Sequence, residues 1–377
     1  MTDANDGTAY FLYHSIGQYP RKAADLAAAM AGFAQSWGSA DDLQWGYALG
    51  KRAAFIGHWQ TLIGAAEGTL TVTENVTASL NALIGALPGG TLAGKRVLVA
   101  GDCFPSMHFL LTGLAPRFGF TLDTVPLRQG AAWVEDDDII DRWGPDVALT
   151  LLTWVSSTSS HRSDIARLVA HGRERGSLMG VDITQAAGLL PFDVMAPEVD
   201  FAISTSLKWM CGTPGAGVLY VAPRLIADCE PEVRGWFSQE NPFQWDLDKF
   251  AYAPDIRRFD TGTPGTISAL ASLPAMEWLM AQDRPALLAH NRTLSAQILA
   301  GVDAMGLTLV SPQDEGARGG STMVRLPASR PAGDVVLAFR EAGIAADARG
   351  QTLRLSPGVM TTEAGVSRML EVLAPLV

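Results

Sequence analysis

Three consecutive stretches, PDVALTLLTWV (145–155), HRSDIARLVAHGRERG (161–176) and SLMGVDI (177–183), decide the fold. The first and third are short apolar runs, and the middle one carries Ile165, Leu168 and Val169 at helical spacing before a glycine stop. The strands do not alternate apolar with polar, so both of their faces must be covered, as in a parallel sheet flanked by helices. The same alternation extends outward. KRVLVAG (95–101) reads as a strand and FPSMHFLLTGLAPRFG (104–119) as a helix, while VDFAISTS (199–206) and AGVLYVAP (216–223) read as further strands. Residues 22–37 form an amphipathic helix with Leu26, Met30, Phe33, Ala34 and Trp37 on one stripe. Beyond these, one long helix (268–301) is expected to bridge to a C-terminal unit. That unit contains STMVRLP, a helix at 333–342, GIAADAR, TLRLSPG and a closing helix from Thr361. The reading is an α/β protein: an N-terminal segment (1–20) packing near the small domain, a large domain (21–270) and a small α+β domain (271–377).

Composition narrows the function. The chain has 377 residues, 48% apolar and 18% charged, with 28 Lys and Arg against 39 Asp and Glu, a net charge of −11. Such an acidic surface without a basic cluster disfavours nucleic acid and anionic membranes. No uncharged apolar stretch is long enough to span a bilayer, and the acidic opening MTDANDGTAY does not read as a signal peptide. Three scattered cysteines, Cys103, Cys211 and Cys229, read as reduced thiols of a cytoplasmic protein and form no metal framework.

Five places carry candidate chemistry. Asp182 ends one apolar strand and Lys208 follows another, in STSLKWMCGTPGAG. Charges at the mouth of an apolar sheet are costly unless paired or employed, so this is an ion pair or a pyridoxal phosphate (PLP) site. TLTVTENVTASLNALIGAL (69–87) is a strand-to-helix turn whose Asn75, Val76 and Thr77 suit a phosphate, or merely cap a helix. Phe104 lies just past a strand end, as a core residue or a ring stacker. GWFSQENPFQW (235–245) and RRFDTGTPGT (257–266) read as loops. Arg354, in an apolar strand, wants a carboxylate from a local acid such as Asp347 or from a substrate. GTPGAG (212–217) lacks the order strand, glycine loop, helix, and reads as a turn.

In this order the pieces resemble the class V group of PLP-dependent enzymes of fold type I, and within it the kynureninases. YHSIGQYP (13–20) resembles that family's Asn-Ser-Leu-Gly opening, and TENVTASL its phosphate turn. CFPSMHF resembles its Phe-Pro-Thr-Asp segment, LLTWVSSTSS (151–160) its His-Val-Asn-Tyr strand, and RGWFSQ and IRRFDTGTP its two later loops. The resemblance implies a Schiff-base lysine at Lys208, a pyridinium partner at Asp182, and a stacking ring at Phe104. It implies further cofactor contacts from Asn75, Val76, Thr77, Gln185 and Thr205, and from Trp236 and Thr263 across a homodimer interface. Arg354 would take the α-carboxylate of an amino-acid substrate, with His14 and Ser15 near it. Three positions depart from kynureninases: Leu207 replaces Tyr, Gln185 replaces His and Met107 replaces Asp. A cysteine desulfurase would need a small-domain cysteine, and none follows Cys229. The resemblance thus implies hydrolytic Cβ–Cγ cleavage of a kynurenine-type substrate. The alternatives are transamination or β-elimination on the same scaffold, or a silent binding protein, against which Lys208 and Asp182 stand.

Overall fold

The computed structural model describes residues 7–377, so the first six residues of the 1–20 segment lie outside it. Seven strands form the main sheet: β1 (Leu70–Thr73), β2 (Arg96–Ala100), β3 (Thr121–Val125), β4 (Val147–Thr153), β5 (Leu178–Asp182), β6 (Phe201–Thr205) and β7 (Gly217–Val221). Their order is β1-β7-β6-β5-β4-β2-β3. β3, β2, β4, β5 and β6 run parallel, and only β7 is antiparallel to both its neighbours. The carboxyl ends of β1, β2, β4, β5 and β6 therefore meet at one edge, where ligands of such sheets bind.

The helices are α1 (Lys22–Trp37), α2 (Gln44–Ile63), α3 (Val76–Ile84), α4 (Pro105–Phe118), α5 (Asp136–Arg142), α6 (Ile165–Glu174), α7 (Pro223–Ile226), α8 (Ile267–Met280), α9 (Arg284–Ala304), α10 (Ala332–Glu341) and α11 (Glu363–Leu373). Neighbouring sheet residues point to opposite faces. Leu98, Val181, Val218 and Tyr220 join Phe55 and Trp59 of α2, Leu168 of α6 and Leu273 of α8 in one core. Val97, Val99, Leu219 and Val221 join Leu80 and Leu83 of α3 and Leu111 of α4 in another. Both faces are thus sealed, which is why the strands read as unbroken apolar runs.

A four-stranded antiparallel sheet follows, ordered β10-β11-β9-β8, from β8 (Thr308–Leu309), β9 (Thr322–Arg325), β10 (Asp347–Arg349) and β11 (Thr352–Leu355). With α9, α10 and α11 it encloses a third core around Leu294, Ile298, Phe339, Leu353 and Met369. The expected single helix over 268–301 is two helices. Asp283 accepts a hydrogen bond from the Ala286 amide at 3.1 Å and starts α9 afresh, with Pro285 in its first turn. The helix expected over 161–176 begins only at Ile165, because Asp164 caps it. The apolar stripe of α1 buries none of its residues within this chain, and Trp37 is 42% exposed.

One close approach positions the site. Gly180 pairs with Phe201, and a Cβ at Gly180 would lie 1.9 Å from that ring. Asp182 stands two residues further along the same strand. Gly180→Ala is expected to lower stability by ~1–3 kcal/mol through overpacking, and Phe201→Leu to recover much of it in the double variant. Urea unfolding midpoints of the two single variants and the double variant check this.

Candidate active site

The sheet edge delivers its functional groups from four strand ends. After β1, Asn75 adopts an extended backbone and its side chain accepts from the Ala78 amide at 2.9 Å. Ser79 N–H donates to the Asn75 carbonyl, while the Val76 and Thr77 amides at the start of α3 have no acceptor among the described residues. Free amides at a helix N-terminus favour an anion. After β2, Phe104 precedes Pro105, whose fixed backbone angle starts α4 and leaves the Phe104 ring 40% exposed. Asp182 is the last residue of β5 and Thr205 the last of β6, with Lys208 in the loop beyond. All of these line one cavity of about 690 Å³, together with Gln185 and Leu207.

Its two buried charges act on each other without forming an ion pair. Asp182 is buried, and its carboxylate accepts from the Thr184 amide at 2.9 Å. Burial raises its carboxyl above the usual range, against the lowering effect of Lys208. Lys208 opens onto the cavity, and enclosure pushes its amine down to about 8, opposed by Asp182 and aided by Arg354. The two do not pair directly, and the nearest ring to the ammonium is Phe104, 5.4 Å from its centroid. A simple ion pair therefore does not account for them. The Thr205 hydroxyl, also on the cavity wall, is buried without a hydrogen-bond partner.

Arg354 lies outside the cavity wall yet close enough to depress Lys208. Of the two partners open to it, the structure supplies the local acid. Asp347 faces Arg354 across the β10–β11 pair and takes Nε at 2.8 Å and Nη2. Asp347 in turn accepts from His14 Nε2 at 2.9 Å, and His14 Nδ1 meets the Ser356 hydroxyl at 2.7 Å. His14 is 2% exposed with both ring nitrogens occupied, so it backs the arginine and does not face the cavity. Ser15 is half-buried in the turn after it. This N-terminal segment stitches the parts together. Phe11 sits in the third core, while Tyr13 stacks on Trp209 at 5.5 Å in the first. Gly17 N–H donates to the Leu207 carbonyl, and a Cβ there would lie 1.8 Å from the Lys208 carbonyl.

Trp236 and Thr263, expected at a partner's phosphate site, lie away from this chain's own cavity. Trp236 packs on Phe237, and Thr263 lines a separate groove of about 1170 Å³ that shares Glu74, Ala78 and Asn81 with the cavity. Sequence reasoning missed α2 and Thr184. The apolar spacing of Phe55, Trp59 and Leu62 would have found the helix, whereas nothing in the sequence marked Thr184. Burial pushes the Cys103, Cys211 and Cys229 thiols each up to about 12, which keeps them protonated and poorly nucleophilic.

Comparison with known proteins gives a consistent family. The family described as Aminotransferase class-V matches residues 57–368. A kynureninase of Deinococcus radiodurans is 29% identical over 295 residues, covering 76% of this chain and 68% of that protein. An uncharacterized aminotransferase, YcbU, of Bacillus subtilis is 25% identical over 331 residues, covering 88% and 85%. Among solved structures, a C-DES variant with glycine covalently linked to its PLP cofactor superposes with a TM-score of 0.88 at 19% identity, covering 100% of each chain. The fold is thus that of the fold type I PLP enzymes. The cavity fits that cofactor. It offers free helix amides and an orphaned Thr205 hydroxyl for a phosphate, a buried carboxylate for a cationic ring nitrogen, and a neutralisable amine for an aldehyde. The chain belongs to the class V aminotransferase family and is a PLP-dependent enzyme.

Proposed function

We infer that the protein acts on an α-amino acid, with Lys208 as the residue that carries the cofactor and moves protons at Cα. The observation behind this is the pair of unpaired charges, Lys208 and Asp182, facing one cavity, with Arg354 close by. The bound cofactor supplies an electron sink for the bond broken at Cα. Asp182 would hold a proton on its ring nitrogen, and the Val76 and Thr77 amides with Asn75 and Thr205 would hold its phosphate. Phe104 would cover one ring face, and Gln185 flanks the same wall. Arg354 would take the substrate carboxylate, fixing which bond at Cα lies against the ring. Once free, the Lys208 amine, near 8, suits both taking and returning a proton at neutral pH.

The specific reaction proposed is hydrolytic Cβ–Cγ cleavage of a kynurenine-type substrate. Curated kynureninases are among the relatives, and Phe104, Leu110, Val155 and Leu207 give apolar walls suited to a large side chain. Leu207 and Gln185 favour a second reading, transamination or β-elimination. They remove the Tyr and His of kynureninases and leave Lys208 as the one basic side chain on the cavity wall among the described residues. Product analysis with L-kynurenine separates them. Anthranilate with alanine supports cleavage, and a keto acid supports the second.

The same reading includes a homodimer in a reducing cytoplasm, in line with three free buried thiols. Phe33, Trp37 and Trp45 line the groove beside the cavity, and Phe243, Trp245 and Leu247 are also exposed. A second copy would cover this surface and bring Trp236 and Thr263 toward the partner's phosphate site. Replacing Trp37 and Trp45 together by Glu is expected to give a monomer in analytical ultracentrifugation, with weakened cofactor retention.

Borohydride reduction of the holoenzyme is expected to fix the cofactor to the peptide containing Lys208, and a label on another lysine would contradict the assignment. Only the neutral amine condenses with an aldehyde, so cofactor loading of the apoprotein should accelerate as pH rises through about 8 and then level off. Asp182→Asn should keep the cofactor yet slow deuterium exchange at Cα of bound L-alanine by about two to three orders of magnitude.

A further inference from the structure

The guanidinium of Arg354 is held by one edge only. Nε and Nη2 bond Asp347, and Nη1 has no hydrogen-bond partner among the described residues although the residue is 6% exposed. Nη1 is also not sealed from solvent. A guanidinium presents two forks, and Asp347 fills the Nε/Nη2 fork and leaves the Nη1/Nη2 fork open. Asp347 cannot swing freely. His14 Nε2 holds its Oδ1 at 2.9 Å, and the His14 ring is fixed by the Ser356 hydroxyl at 2.7 Å, itself bonded to Ser321 at 2.6 Å. Hydrogen bonds from His14 and Arg354 keep the Asp347 carboxylate ionised despite its partial burial. The His14 backbone belongs equally to the large-domain side, because Gln185 Nε2 donates to its carbonyl at 3.3 Å and Gly17 N–H donates to the Leu207 carbonyl.

We propose that Asp347 and His14 are positioning residues, which clamp one edge of Arg354 so that its opposite edge meets the carboxylate of the amino acid at a fixed distance from Lys208. The chain His14–Asp347–Arg354 then does more than steady the small sheet. It ties the substrate's carboxylate anchor to the N-terminal segment that also bonds the Lys208 loop through Gly17. This rests on the reading of Arg354 as the carboxylate anchor.

The test compares two probes on the holoenzyme. Aminooxyacetate and methoxyamine carry the same amino-oxy nitrogen, which forms a C=N bond to the cofactor aldehyde carbon and releases Lys208 as its amine. Only aminooxyacetate has a carboxylate. The ratio of their association rate constants, followed by cofactor absorbance, therefore reads the carboxylate contact and is normalised against general damage to the site. Asp347→Asn is expected to reduce the ratio by about tenfold or more, since a slightly misplaced anchor loses most of its advantage. A ratio that stays the same would overturn the positioning role, and so would one that rises, because Asp347 would then be a competitor for the fork. Should Asp347→Asn not retain cofactor, His14→Gln decides by the same criterion, with a fall supporting the role and an unchanged or raised ratio overturning it. Arg354→Gln separates the layers. If it leaves the wild-type ratio intact, the carboxylate reading itself fails, whereas a ratio lost in Arg354→Gln and kept in Asp347→Asn removes only the clamp.

Discussion

Two charges that do not pair, Lys208 and Asp182, set the terms for this molecule. Each is taken out of bulk water at the carboxyl edge of an apolar sheet, and neither has the other as a direct partner. An enclosed lysine is driven toward its neutral form and an enclosed carboxylate toward its protonated form, and both effects are present. That arrangement is costly for an empty protein and well suited to one that places a cationic ring nitrogen by the acid and an aldehyde by the amine. The double covering of the sheet is what makes the enclosure possible.

The strap at residues 9–17 carries the next layer of order. It adds parallel bridges beside the four-stranded sheet at Tyr10 with Ala345 and Leu12 with Ser356, then inserts Tyr13 beside Trp209, one residue after Lys208. A segment of about ten residues thereby touches both the element that bears Arg354 and the loop that bears Lys208. The glycine at position 17 is required by contact, not by an unusual backbone angle, since any side chain would strike the Lys208 carbonyl.

The apolar stripe of α1 shows the limit of amphipathic reading. Leu26, Met30, Phe33 and Trp37 recur as a core-facing helix should, yet α1 buries no residue in its own chain. Periodicity says that a face will be covered and not by what. Here the covering surface is proposed to be a second copy, whose approach would also cover the groove that shares Glu74, Ala78 and Asn81 with the cavity.

The chain's own residues determined the sheet, the strand ends and most of the cavity. β4, α6 and β5 follow from apolar runs and a capped helix, and Asp182, Thr205 and Lys208 fall where those runs stop. These features are local, so a linear reading reaches them. The break between α8 and α9 was obscured because the apolar pattern continues across it, although Asp283 and Pro285 mark it. What only the tertiary structure decided is which side chains meet across long separations. His14 reaches Asp347 over 333 residues, and the choice of Asp347 as partner for Arg354 depends on the β10–β11 register. That Asp182 and Lys208 share one cavity wall, although 26 residues of chain separate them, is likewise decided by the packing of β5 beside β6. Sequence spacing fixes the order of such groups along the chain, but strand register and domain packing fix the ångströms between them, and hydrogen bonds and charge pairs depend on those.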